Sequence, residues 1–131
     1  MKGCDDYVIK YNENWGANDN EYKCFEIVNN LGGTVSKHLG QIYSMSKSKK
    51  YLVMEYLQDI HGDQYYKAEY PSGITDIRRE NFGITKNGDI KMRDYALYTL
   101  PVGKTLCRVP NKEEIKYMSE DAKYIGDLLG E

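Results

Sequence analysis

An α+β fold in a single domain is what this sequence predicts, and three patterns carry the prediction. A short β-branched and aromatic run stands near the start, two stretches have helical apolar spacing, and two hairpin signatures lie between those stretches. The chain has 131 residues, enough for one hydrophobic core but not for two.

In order, residues 5–11 (Asp-Asp-Tyr-Val-Ile-Lys-Tyr) read as a short strand. Residues 12–20 hold Gly16 and four Asn and are expected to form a polar loop. From 21 to 31 the apolar residues Cys24, Phe25, Val28 and Leu31 recur mostly at three- and four-residue steps, predicting an amphipathic helix. Asn18 or Asn20 is its expected cap and Gly32-Gly33 its stop. Residues 41–45 and 50–57 read as two strands joined by Ser46-Lys47-Ser48-Lys49, a hairpin whose basic tip is most simply a solvated turn. In 59–73, Gly62, Pro71 and Gly73 confine any helix to about 63–69. Segments 82–85 and 89–93 flank Lys86-Asn87-Gly88, and Asn-Gly between alternating segments is a strong hairpin signal. Finally, Ile115, Met118, Ala122, Ile125 and Leu129 predict a core-facing helix over 111–129. Asn111 and Glu114 make its capping-box start, and Gly130 ends it.

Composition narrows the function classes. A hydrophobic content of 40%, a charged content of 29% and a net charge of −2 are ordinary for a globular protein, with no global electrostatic case for nucleic acid or an anionic membrane. The longest uniformly apolar run is about four residues, so no membrane span and no signal peptide are expected. Cys4, Cys24 and Cys107 are scattered and odd in number, which favours reduced thiols and a cytoplasmic setting. His38 and His61 lack partners at zinc-ligand spacing. The thirteen tyrosines are read as filling strand faces and a thin core with wet edges.

The stretch from Asp76 to Ala96 carries the most information. It places Asp76, then Asn81 five residues on, then a hairpin, then Asp94 thirteen residues after the asparagine. Phosphoryl transfer needs a carboxylate to accept a hydroxyl proton and hard oxygen ligands to hold Mg²⁺ against phosphates. The two metal ligands meet only if the chain leaves and returns, which the hairpin provides.

With that motif included, the element order resembles the protein kinase-like fold over residues 5–97. It is nearest in spacing to the compact aminoglycoside-phosphotransferase-like and phage-encoded kinases. The resemblance implies one domain, with 5–57 as an N-lobe remnant and hinge and 58–131 as a reduced C-lobe. Val8-Ile9-Lys10 is similar to the strand carrying the phosphate-pairing lysine, and Glu21 to the helix glutamate that orients it. Tyr51-Leu52-Val53-Met54-Glu55-Tyr56-Leu57 looks like the last N-lobe strand and hinge. Met54 would then be gatekeeper, with the Glu55 carbonyl and the Leu57 amide facing adenine. Asp76 matches the catalytic-loop aspartate, Asn81 the loop asparagine, and Asp94, in Asp-Tyr-Ala, the metal-binding aspartate. Implied ligands are ATP and Mg²⁺.

Four departures qualify the resemblance. Only nine residues precede Lys10, so the strands and Gly-rich loop that normally cover the phosphates have no counterpart. Ile74-Thr75 replaces the His-Arg before the catalytic aspartate, although Arg78, two residues after Asp76, offers a charge for the γ-phosphate. About eighteen residues separate hinge and Asp76, too few for two helices, and the 111–129 helix is expected to cover the 82–93 hairpin instead. No Ala-Pro-Glu segment follows Asp94. Three readings stay open: a minimal phosphotransferase acting on a protein or on itself; a non-catalytic kinase mimic, of phage or viral type, that binds a host or defence protein; and an unrelated α+β domain. Exposed core surface would also suit a homodimer.

Overall fold

Strand alternation sorts the first element. In the computed structural model, which describes residues 6–14, 16–111 and 113–114, Tyr7–Tyr11 forms β1. Val8 and Lys10 point to its inner face, while Ile9 and Tyr11 are exposed. Helix α1, Gly16–Asn30, follows and buries Cys24, Phe25 and Val28 along one stripe. A hairpin of β2 (Ile42–Met45) and β3 (Tyr51–Glu55) completes a three-stranded antiparallel sheet in the order β1-β3-β2. Within it Lys10 lies opposite Leu52 and Val8 opposite Met54.

Beyond β3 come one-turn helix α3 (Gly62–Tyr65) and β4 (Glu69–Pro71). A 3-10 turn, Arg79–Asn81, then leads into β5 (Phe82–Ile84), which pairs with β6 (Ile90–Met92). Gly88, at φ 92°, makes the turn of this hairpin, where the Thr85 amide donates to the Asp89 carbonyl at 2.9 Å. Strand β7 (Leu106–Arg108) returns to pair with β4. The described residues therefore form a small mixed α+β domain with three helices and several small antiparallel sheets. One core joins Cys24 and Val28 of α1, Leu52 and Met54 of β3, and Phe82, Met92 and Tyr95. Tyr95 is the largest fully buried side chain, and its hydroxyl donates to the Gly40 carbonyl at 2.9 Å. Other tyrosines, among them Tyr11, Tyr43 and Tyr51, stay exposed on the sheet.

Several expectations need correction. The polar loop is shorter than 12–20, because α1 begins at Gly16. Asn12 and Asn14 accept from the Asn14 and Gly16 amides, at 3.1 and 3.2 Å, and turn the chain into the helix. Asn18 is not a cap: it lies inside α1 and donates to the Lys49 carbonyl at 3.1 Å. Lys49 of the basic tip is not simply solvated, since it pairs at 3.2 Å with the nearly buried Asp19 carboxylate, which also takes Lys23 at 2.9 Å. Helix α1 ends at Asn30, ahead of the expected Gly32-Gly33 stop, and a separate one-turn helix α2, Gly33–Ser36, follows. The 63–69 helix is reduced to α3, since Glu69–Pro71 pairs with β7 as a strand.

The body of the 111–129 helix lies outside the described residues. At its start the Asn111 side chain accepts from the Glu114 amide at 2.8 Å, while the Glu114 carboxylate goes to Arg108 rather than back to Asn111. Among the described residues no helix is long and apolar enough to cross a membrane, and Cys24 and Cys107 are free thiols.

Candidate active site

Lys10 reaches inward from β1 and donates from Nζ to Glu21 Oε1 of α1 at 2.6 Å and to the Arg93 carbonyl at 2.5 Å. Glu21 is almost fully enclosed, its side chain 3% exposed against 29% for Lys10. Its second oxygen, Oε2, accepts from the Tyr95 amide at 2.7 Å. One carboxylate thus fixes both the lysine and the backbone next to Asp94. Burial pushes the Glu21 carboxyl above its ordinary range, and the Asp94 charge adds to the rise. The Lys10 ammonium and the Tyr95 N–H pull the other way. A charged carboxylate in such a place needs its two donors, and it has them.

The second half of the site depends on the β5–β6 register. Because Phe82 faces Met92, the next pair outward is Asn81 with Arg93, and the Arg93 amide donates to the Asn81 carbonyl at 2.8 Å. Asn81 and Asp94 are thereby brought within one residue of each other across the hairpin. Asn81 Nδ2 donates to the Asp76 carbonyl at 2.7 Å, which leaves its Oδ1 free to act as a ligand. Asp76 is paired by Arg78 Nη2 at 3.1 Å. The Asn81 amide and then the Arg78 guanidinium hold the Asp76 carboxyl below the usual range. Arg78 is therefore turned onto Asp76, where a role at the γ-phosphate would need it free.

The predicted hinge residues Met54, Glu55 and Leu57 line a cavity of about 210 Å³ together with Val8, Lys10, Glu80, Arg93 and Asp94. A second cavity of about 340 Å³, lined by Asn12, Asn18, Glu21 and Ala96 among others, shares Lys10 and Asp94 with the first. An apolar slot and a polar pocket thus adjoin at an ammonium and a carboxylate. Leu57 is buried, and its carbonyl accepts from Arg93 Nη1 at 3.1 Å. The Glu55 carboxylate is engaged outside the slot, by Lys91 at 2.9 Å and the Gln41 amide at 3.1 Å.

Two residues of consequence escape reasoning from sequence. Tyr95 acts through its main-chain N–H, which no side-chain pattern announces. Arg93 donates to the Glu80 and Leu57 carbonyls and to Asp59, and the only sequence signal for it is its place directly before Asp94. Among the described residues no three His, Cys, Asp or Glu side chains cluster to hold a metal by themselves. Asn81 and Asp94 supply two hard oxygen ligands. Oxygen donors of this kind could hold a Mg²⁺ that takes its other positions from phosphate and water.

No protein-family model matches the chain, and comparison with curated proteins and with solved structures gives no significant match.

Proposed function

We propose that the chain is a reduced protein kinase-like domain that binds ATP with Mg²⁺, with phosphotransfer to a protein or to itself as its activity. The observation that carries the reading is the Lys10–Glu21 pair, closed at 2.6 Å beside Asp94 where the two cavities adjoin. The sheet order β1-β3-β2, with α1 between β1 and β2, also supports it, because it sets Lys10 and Glu21 face to face.

In this reading the base lies in the slot against Met54 and Leu57, and Lys10, oriented by Glu21, holds the phosphates. Asp76 orients and deprotonates the acceptor hydroxyl. Asn81 and Asp94 would hold Mg²⁺, which when bound neutralises charge developing on the phosphates. A carboxyl held below its ordinary range is a weak general base, so the Arg78–Asp76 pair slows transfer. That observation favours the second reading, a kinase mimic that binds nucleotide and acts through a protein partner.

Thermal unfolding in rising ATP·Mg²⁺ tests both. Wild type should gain several degrees near saturation, and Asp94→Asn should lose the Mg²⁺-dependent part. No shift in wild type refutes the nucleotide reading. If binding is present, transfer of labelled γ-phosphate that disappears in Asp76→Ala identifies an enzyme, and its absence from wild type identifies the mimic.

A further inference from the structure

We infer that the outer face of the β1-β3-β2 sheet is a self-association surface, on which a second copy of this chain packs through the same face. Strand pairing sets Tyr11 opposite Tyr51 and Ile9 opposite Val53, and residues directly opposite share one face of a sheet. In β2 the register shifts between Ile42 and Ser44. The bulge turns Tyr43 outward, 57% exposed where Ile42 beside it is 5% exposed. Ile9 is 58%, Tyr11 59% and Tyr51 48% exposed. The Tyr11 and Tyr51 rings lie 5.1 Å apart, so the patch runs without a break from β1 to β3. Single exposed apolar side chains are ordinary, but four on one face of three adjoining strands make a patch that calls for a partner.

Charge selects the occupant. Along the strands of this face the one charge is Glu55, and its carboxylate is already taken by Lys91 Nζ at 2.9 Å and the Gln41 amide at 3.1 Å. Further charge stands at the two ends of the sheet. Lys47 and Lys50 are exposed at the β2–β3 tip, and Asp6 is exposed at the opposite end, where β1 begins. A surface with a neutral aromatic centre, a basic end and an acidic end is complementary to itself once one copy is reversed. A two-fold axis in the interface, perpendicular to the strands, lays the basic tip of each copy over the acidic end of the other. A uniformly acidic or basic partner would match one end and be repelled at the other. Two sheets packed in this way lie about 10 Å apart with their strands within about 30° of each other. The contact is isologous and closes at two copies.

The area on offer sets the strength. A large aromatic side chain buries roughly 150–250 Å², so four of about that size, each near half exposed, leave about 400 Å² to cover. A standard interface takes about 800 Å² from each partner. The pair is therefore a weak one that assembles at high protein concentration, with tyrosine hydroxyls at the rim still able to reach water.

Sedimentation equilibrium of the full chain, from about 10 µM to about 1 mM, tests this on wild type, Ile9→Thr, Tyr51→Thr and Ile9→Lys. Threonine keeps the strand preference, so the two Thr variants should unfold within a few degrees of wild type. Wild type should form a dimer and no larger species. Each Thr variant should weaken the dimer at least about fivefold and Ile9→Lys at least about tenfold. Should Ile9→Lys not fold, the Thr variants decide alone. Wild type that stays monomeric to about 1 mM overturns the inference. A dimer that forms equally in every variant uses another surface and overturns it too. A monomeric wild type that both Thr variants strongly destabilise has this face covered by its own chain, and that result also overturns the inference.

Discussion

Glu21 offers the sharpest test of how this site is held together. Truncation to Ala strips the acceptor from the Lys10 ammonium and from the buried Tyr95 amide at once. Removing one partner of a buried ion pair typically costs about 3–5 kcal/mol, and orphaning a buried N–H costs about 1–3 kcal/mol. Lys10 keeps the Arg93 carbonyl and is partly exposed, so part of that sum is recovered in water. We expect Glu21→Ala to lose about 4 kcal/mol in urea unfolding. Glu21→Gln keeps one carbonyl oxygen for the Tyr95 amide and should lose about 1–2 kcal/mol. At this chain length each kcal/mol is worth roughly 3–5 °C of Tm.

The pH dependence of the same variants has a definite sign. Burial raises the folded-state carboxyl above its ordinary value of 4.5, so the folded protein binds the proton more tightly than the unfolded chain. The stability from this group is complete below that ordinary value and is lost as the pH climbs through the folded one. Subtracting Glu21→Gln from wild type at each pH should give a difference that shrinks over that interval and then levels. A Glu21→Ala loss under 1 kcal/mol, or equal losses in Ala and Gln, would refute the picture of one carboxylate serving two donors.

Other expectations are simpler to check. At Gly83 an added Cβ would stand 2.5 Å from Leu57 Cβ and 2.9 Å from the Gln58 carbonyl oxygen, neither of which can swing aside. Gly83→Ala should therefore cost about 2–3 kcal/mol in urea unfolding and disturb the Leu57–Gln58 backbone. Gly88→Ala, at φ 92° with open space around it, should cost about 1 kcal/mol of backbone strain and leave the Leu57–Gln58 backbone in place. A larger loss at Gly88 than at Gly83 would contradict the packing. The Cys24 thiol, fully enclosed and pushed by burial up to about 12, should resist alkylation at pH 8 at least tenfold longer than the half-buried Cys107, until urea is added. Peptide mapping that found the two equally labelled would sink that expectation.

What the sequence made legible had local causes. A β-branched and aromatic run marked β1, helical spacing put Cys24 and Val28 in the core, and Asn87-Gly88 marked a hairpin that the backbone forms. The asparagines before α1 misled because Asn is both a breaker and a good hydrogen-bonding partner, and Asn18 spends its amide on Lys49 across the fold. Strands β4 and β7 are three residues each and lie far apart in the chain, so neither carries a readable period. Around the candidate site, the expected pairing of Lys10 with Glu21 is the part that the structure shows. The hold of Arg78 on Asp76 and the bonds of Arg93 to the Glu80 and Leu57 carbonyls depend on tertiary geometry.

The anchoring of α1 has a mechanical consequence. Asp19 near its start is tied to the hairpin tip through Lys49, and Glu21 is tied to β1 and to the Tyr95 backbone. Near its end Leu31 and Val28 lie so close to Gly103 that an added Cβ there would sit 2.9 and 3.3 Å from them. A helix fastened along its length behaves as a strut, and a swing outward would have to release every attachment together. Any rearrangement around Lys10 and Glu21 therefore takes place against a fixed frame.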